Sequence, residues 1–229
     1  MAQSTLANLY PILPSLLSAN LLCLEAEVSA LIKAGADYLH LDVMDNHYVS
    51  NLTFGPNVCA ALHKRFPTTS IDVHLMTTPV DTLISDFAQA GASRLSIHPD
   101  ASLHVNRSLQ LIRELGCQVG LALNPGTSLD CLQWTHHQLD FVLVMTVNPG
   151  FAGQGLITDM MPKISQIKQQ YPHLSICVDG GITLDNIAEL AQAGATQFVA
   201  GSAIFQNADY RHTIESLRNR AMHAQKHPG

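Results

Sequence analysis

The chain is short of basic residues: 12 lysines and arginines stand against 18 aspartates and glutamates, for a formal charge of -6. That argues against a nucleic-acid partner, which demands a basic surface. It also means that an anionic ligand must be held by local groups rather than by the overall field. Paired cysteines are missing too. The five present (Cys23, Cys59, Cys117, Cys131, Cys177) are odd in number and form no CxxC pair. A reducing compartment is therefore expected and a disulfide framework is not. Cys177 lies in an apolar run and reads as a small buried hydrophobe. No apolar stretch approaches ~18–20 residues, which leaves no candidate membrane span. Met1 to Tyr10 contain no basic residue, so the charged start of a secretory signal is lacking. A soluble, cytoplasmic protein with no membrane partner is expected. Linkers and low-complexity tracts are absent as well. With 47% hydrophobic residues, the chain reads as a single domain over 1–229. The polar tail Met222–Gly229 is expected to fray.

What is present is a repeated unit. Short apolar runs at Ile12–Leu17, Tyr38–Val43, Ser70–Leu75, Arg94–Ile97, Gln118–Leu123, Phe141–Met145, Ser175–Val178 and Gln197–Ala200 make eight strand candidates. Between them, apolar residues fall at helical spacing. Leu24, Val28, Leu31 and Ile32 mark one helix; Leu83, Ile84, Phe87 and Ala90 a second; Leu109, Ile112 and Leu115 a third. Ile164 and Ile167 mark another, as do Ile187, Leu190 and Ala191, and a last helix runs from about Tyr210 past Leu217. Three of these end in the same joint, Ala34-Gly35-Ala36, Ala90-Gly91-Ala92 and Ala193-Gly194-Ala195. Glycine there supplies the left-handed residue just past a helix C-terminus. Eight strands alternating with helices predict an α/β protein, a (β/α)8 TIM barrel, whose usual size is roughly 250 residues. A doubly wound open sheet is the runner-up, and the missing GxGxxG after the first strand counts against it.

Two strand candidates share an unusual grammar. In Leu39-His40-Leu41-Asp42-Val43-Met44-Asp45, the residues His40, Asp42 and Met44 occupy one face; in Ile71-Asp72-Val73-His74-Leu75-Met76, so do Asp72, His74 and Met76. One such strand alone would read as a half-exposed strand with its polar face in water. A pair carrying the same three residue types reads as a metal site at neighbouring strand ends, which in a barrel meet the ligand. A third strand ends Val178-Asp179-Gly180-Gly181-Ile182, where two glycines let a ligand approach a carboxylate closely. His40, His74, Asp42 and Asp179 form a mixed nitrogen and oxygen set for one divalent metal such as Zn, Fe, Mn or Co. His98, which also ends a strand, competes for a place in the set. Asp72 is expected to orient His74 from one step deeper. His136, His137 and the other histidines fall in loops or helices.

Phosphate is the second theme. Barrel enzymes bind it on the loops after strands 7 and 8 and at the N-terminus of a short extra helix. Those loops carry Gly180-Gly181 and Gly201-Ser202, and Ala203–Phe205 fits the short helix, whose free N–H groups attract an anion. Gly150 and Gly153 after strand 6 add a further wall of backbone donors.

These motifs together resemble the signature of ribulose-phosphate 3-epimerases. The resemblance lies in residues 39–45 with Asn51-Leu52-Thr53-Phe54-Gly55, in Asp72-Val73-His74-Leu75-Met76, and in Val144-Met145-Thr146-Val147-Asn148-Pro149-Gly150-Phe151-Ala152-Gly153-Gln154. Val178-Asp179-Gly180-Gly181-Ile182, Ala200-Gly201-Ser202 and the opening Pro14-Ser15-Leu16-Leu17-Ser18-Ala19 complete it, so it runs from about residue 12 to 205. It implies a (β/α)8 barrel that interconverts D-ribulose 5-phosphate and D-xylulose 5-phosphate in the pentose phosphate pathway, and a homo-oligomer. By position it implies His40, Asp42, His74 and Asp179 as metal ligands, and Asp42 and Asp179 as the proton-transferring pair. It further implies Ser15, His74, Gly150, Phe151, Ala152, Gly153, Gly180, Gly181, Gly201 and Ser202 as substrate contacts. Met44, Met76 and Met145 would line the reacting face of the sugar. Asn20, Asn46 and Ser50 depart from the family's usual aspartate, glycine and proline, and the last two fall in the loop over the site. The alternatives are an epimerase of a ketohexose 6-phosphate such as D-allulose 6-phosphate, a sugar-phosphate decarboxylase, and a non-catalytic metal and phosphate binder. The decarboxylase commonly needs a lysine among its strand-end acids, and these strand ends carry none.

Overall fold

The computed structural model describes residues 10–224. The segment before Tyr10 and the end of the tail, 225–229, lie outside the described residues. Eight parallel strands form one sheet in the order β1-β8-β7-β6-β5-β4-β3-β2. They are β1 (Ile12–Pro14), β2 (Leu39–Met44), β3 (Ile71–Met76), β4 (Arg94–Ile97), β5 (Gln118–Leu123), β6 (Phe141–Met145), β7 (Ser175–Asp179) and β8 (Gln197–Ala200). A parallel bridge between Ser15 and His40 joins β1 to β2 and closes the ring. Closure excludes the open doubly wound sheet and makes this a (β/α)8 barrel.

The helices are α1 (Leu24–Lys33), α2 (Pro56–Arg65), α3 (Asp81–Gln89), α4 (Val105–Glu114), α5 (Met160–Gln170), α6 (Ile187–Ala193), α7 (Ser202–Phe205) and α8 (Tyr210–Ala224). Two 3-10 turns replace a helix between β5 and β6. The period-2 pattern of the strands explains why helices coat the sheet. Leu39, Leu41, Val43, Ile71, Val73 and Leu75 point outward and are buried in one large cluster with Val28 and Leu31 of α1 and Leu109 and Ile112 of α4. The joints behave as their glycines require: Gly35, Gly91 and Gly194 take φ of +87°, +98° and +119°.

β1 is shorter than the run Ile12–Leu17 suggested. After Pro14 the chain turns into a 3-10 helix at Leu16–Ser18, which leaves Ser15 at the rim with its side chain inward. α2 has no counterpart in the sequence expectation. Its signals are modest: Pro56 at the first helical position and a buried stripe of only Cys59 and Leu62.

The lumen is filled by side chains, as in other barrels of this class. Leu13, Ala122, Phe141, Leu143, Met145, Val147, Cys177 and Val199 make a second apolar cluster inside the ring. Cys177 is fully buried there, as its apolar run implied. At the mouth, Met44, Met76 and Val49 form a third, small cluster.

Candidate active site

The register of β2 against β3 sets the chemistry. His40 pairs with Asp72, Asp42 with His74, and Met44 with Met76. The two strands therefore offer the same residue types with His and Asp exchanged, so every imidazole lies beside a carboxylate. Asp72 is level with His40, not with His74. Its Oδ2 accepts from His40 Nδ1 at 2.6 Å, which corrects the expectation that it would orient His74. Parallel register, which one strand's sequence does not reveal, decides the partner.

His98 takes the role expected of Asp72. Its Nε2 lies 2.8 Å from His74 Nε2, and its ring sits 4.9 Å from that of Tyr48. It stands outside the cluster that can hold a metal, which consists of His40, Asp42, His74 and Asp179 with ligand atoms all within 4.8 Å of one another. His40 Nε2 is 3.3 Å from Asp42 Oδ1 and 3.7 Å from Asp179 Oδ2; His74 Nδ1 is 3.5 and 3.7 Å from the same two atoms. A tetrahedral site with metal–ligand bonds of about 2.1 Å has edges of about 3.4 Å. Neither His40 Nε2 nor His74 Nδ1 has a hydrogen-bond partner, although both are buried. Two imidazole nitrogens thus face two carboxylate oxygens with nothing to satisfy them except one another, and this donor set fits a divalent cation.

Electrostatics divides the carboxylates. Burial and the neighbouring charge of Asp42 push the Asp179 carboxyl up. Burial opposes ionisation of Asp42 as well, but His40 and His74 beside it outweigh that and hold its carboxyl far below the usual range. Burial lowers the His98 imidazole well below its ordinary value, and the charge of His74 adds to this. Ser15 Oγ donates to Asp42 Oδ2 at 2.5 Å.

Above these groups lies a cleft partly open to solvent. Ser15, Asp42, Met44, Met76, Met145, Asp179, Gly150, Phe151, Ala152, Gly153, Gly180, Gly181, Gly201 and Ser202 line it, all singled out by sequence. His40 and His74 lie behind that wall, fully buried. His74, expected also as a substrate contact, therefore does not line the cleft. Leu17, Ser18, Val147, Pro149, Gln154, Ile182 and Val199 line it without having been singled out; all but Val199 fall inside quoted motifs, and Val199 looks like an ordinary apolar position.

The loops are shaped by backbone needs. Gly181 has φ of +68°, and a Cβ there would come within 2.6 Å of the backbone nitrogen of Leu156, which cannot step aside. Thr146 Oγ1 donates to the carbonyl of Gly180 at 2.5 Å, fixing the end of β7. Across the mouth, Asn51 Nδ2 donates to the Gly150 carbonyl at 2.8 Å and ties the loop after β2 to the loop after β6. Asn46, one of the three departures, has φ of +58°. The left-handed conformation that a glycine would adopt there is retained, by the side chain that best tolerates it.

Comparison with known proteins agrees with this geometry. "Ribulose-phosphate 3-epimerase" of Serratia marcescens is 50% identical over 204 residues, covering 87% of this chain and 97% of that protein. The protein of the same name from Escherichia coli strain K12 is 48% identical over 214 residues, covering 92% and 95%. Among solved structures, 3-hexulose-6-phosphate synthase from Salmonella typhimurium superposes with a TM-score of 0.72 at 17% identity, covering 93% of this chain and 99% of that one. 3-Keto-L-gulonate-6-phosphate decarboxylase from Vibrio cholerae gives 0.72 at 20%, covering 93% and 98%. At such identities these two establish the barrel alone. The profile of the Ribulose-phosphate 3 epimerase family matches residues 11–205, a span that takes in every cleft-lining and cluster residue described above, and the chain belongs to that family.

Proposed function

We propose that this isomerase interconverts D-ribulose 5-phosphate and D-xylulose 5-phosphate by proton transfer at C3 between Asp42 and Asp179. One observation carries the reading: the two acids on the cleft wall among the described residues stand on separate strands, β2 and β7, each within 4 Å of both buried imidazoles. Epimerisation removes a proton from one face of C3 and returns one to the other. Two carboxylates at different points of the wall do this without a base that must travel, one as base and the other as acid, with roles exchanged in reverse. Ser15 steadies Asp42 through Oδ2.

His40, Asp42, His74 and Asp179 would hold one divalent cation such as Zn, Fe, Mn or Co. Such a cation supplies Lewis-acid stabilisation of the negative charge that develops on the sugar's oxygens as the proton leaves, an effect of several kcal/mol. Met44, Met76 and Met145 keep a polarisable, water-excluding surface over the reacting carbon. The backbone N–H groups near Gly180, Gly181, Gly201 and Ser202, with the Gly150–Gly153 loop opposite, suit the phosphate, whose capture fixes the sugar's orientation. A homo-oligomer working in the cytoplasm belongs to the same reading. Sedimentation checks the first of these points.

The test is proton NMR of D-ribulose 5-phosphate in D2O with the enzyme, before and after chelation. Loss of the C3 proton signal as xylulose 5-phosphate appears, stopped by chelation and restored by metal, is the expected result. Exchange that survives complete metal removal would leave the epimerase and overturn the metal's part. A faster rate on D-allulose 6-phosphate in the same assay would reassign the substrate.

A further inference from the structure

Arg94 opens β4, level with Asp72 in the register; it is 1% exposed and does not line the cleft. Its guanidinium lies 3.7 Å above the centre of the Phe141 ring and 5.0 Å from that of Tyr38. Nη1 donates to Gln197 Oε1 at 2.8 Å. Gly120 leaves the room for this stack, since a Cβ there would fall 2.3 Å from Phe141 Cζ. A position that needed only to be filled would take an apolar side chain at no desolvation cost.

The cation instead faces Asp72. Nε is 2.7 Å from Asp72 Oδ1, close but off the N–H axis, so charge more than a directed hydrogen bond holds the pair. Asp72 Oδ2 takes His40 Nδ1. Each oxygen of one buried carboxylate is thus claimed from a different side. With its Nδ1 engaged, the His40 ring has one orientation left, and Nε2 faces Asp42 and Asp179. We propose that Arg94 is a positioning residue which, through Asp72, fixes the His40 ring so that Nε2 is presented to the metal cluster. The inference rests on the metal reading given under Proposed function. Outer partners of ligating histidines are worth about 10–100-fold in metal affinity, and here the chain of partners extends one residue further.

The experiment is Zn²⁺ affinity of the purified enzyme by competition with a chromophoric chelator, for the wild type, Arg94→Met, Arg94→Lys, Asp72→Asn and the double variant Arg94→Met with Asp72→Asn. The expected result is tenfold or greater weakening in Arg94→Met, a smaller loss in Arg94→Lys, and a double variant no weaker than Asp72→Asn alone. Wild-type affinity in Arg94→Met overturns the proposal, as do losses that simply multiply in the double variant. If Arg94→Met fails to fold, Arg94→Lys decides, and unchanged affinity there overturns it. A wild type that binds no metal would sink the metal reading itself. The positioning is then read on its own from the downfield Nδ1–H proton resonance of His40 by NMR. That resonance should be sharp in the wild type and broadened or lost in Arg94→Lys; an unchanged signal overturns the proposal.

Discussion

Strands β2 to β4, with His98 just past β4, fill their half of the lumen with His40, Asp42, Asp72, His74, Arg94, Ser96 and His98, all buried, whereas β5 to β8 fill theirs mainly with Ala122, Phe141, Leu143, Cys177 and Val199. Asp179 is the one acid on the second side, placed at the top of β7. The polar half is a stack of charges, each held by the next: Arg94 beside Asp72, Asp72 beside His40, His40 and His74 beside Asp42. The apolar half mainly fills space, apart from Gln197, which accepts from Arg94, and Phe141, which lies under its guanidinium. Burying a charge is tolerable only with a partner, so the charged side had to be built as a chain. The apolar side supplies the packing against which that chain is held still. The comparison predicts that damage on one side is read in turnover and on the other in stability.

The largest effects should come from the acids. Asp42→Asn or Asp179→Asn should each cut kcat by about 10²–10⁴-fold or more, the range of a lost general acid or base, with circular dichroism unchanged; Met145→Leu at the mouth should only slow turnover. An Asp179→Asn enzyme with near-normal kcat would end the two-base scheme. Next comes metal removal. Chelation should abolish exchange and lower Tm, because a ligand held at 100 times its Kd contributes about 2.7 kcal/mol to stability; a calorimetric scan with and without chelator reads it. On the apolar side, Leu143→Ala should cost about 2–5 kcal/mol in denaturant unfolding while kcat per folded molecule stays near wild type. A fall in kcat of the same order as the acid variants would erase the distinction between the halves. The smallest effect belongs to the loop over the site. Asn46→Ala, which forces a Cβ without a helpful side chain into φ of +58°, should cost about 1 kcal/mol, and Asn46→Gly should lie within roughly 0.5 kcal/mol of wild type.

The strands were legible because each carries a period-2 pattern on its own: β4, β5, β6 and β8 fall where the apolar runs lie. The cluster was legible because His40, Asp42 and His74 belong to two repeated motifs and Asp179 ends a third strand before two glycines. What escaped was whatever depends on a neighbour strand. Asp72 was matched to the wrong histidine because register is a property of two strands. Arg94 carries no expectation of its own in the sequence beyond bounding a strand run, and only closure of the ring sets it among Tyr38, Phe141 and Gln197. His98 ends a strand as a ligand would, and only the fold shows its nitrogen facing His74 instead. α2 was missed for a different reason, since its buried stripe is too thin to stand out from the loop preceding it.

The bridge between Ser15 and His40 that shuts the barrel joins a cleft residue to a member of the metal-binding cluster, and Ser15 also bonds Asp42. The seam of the cylinder therefore runs through the workplace. A conformer that unzips between its first two staves would part Ser15 from both His40 and Asp42, so loss of closure and loss of the site's geometry coincide.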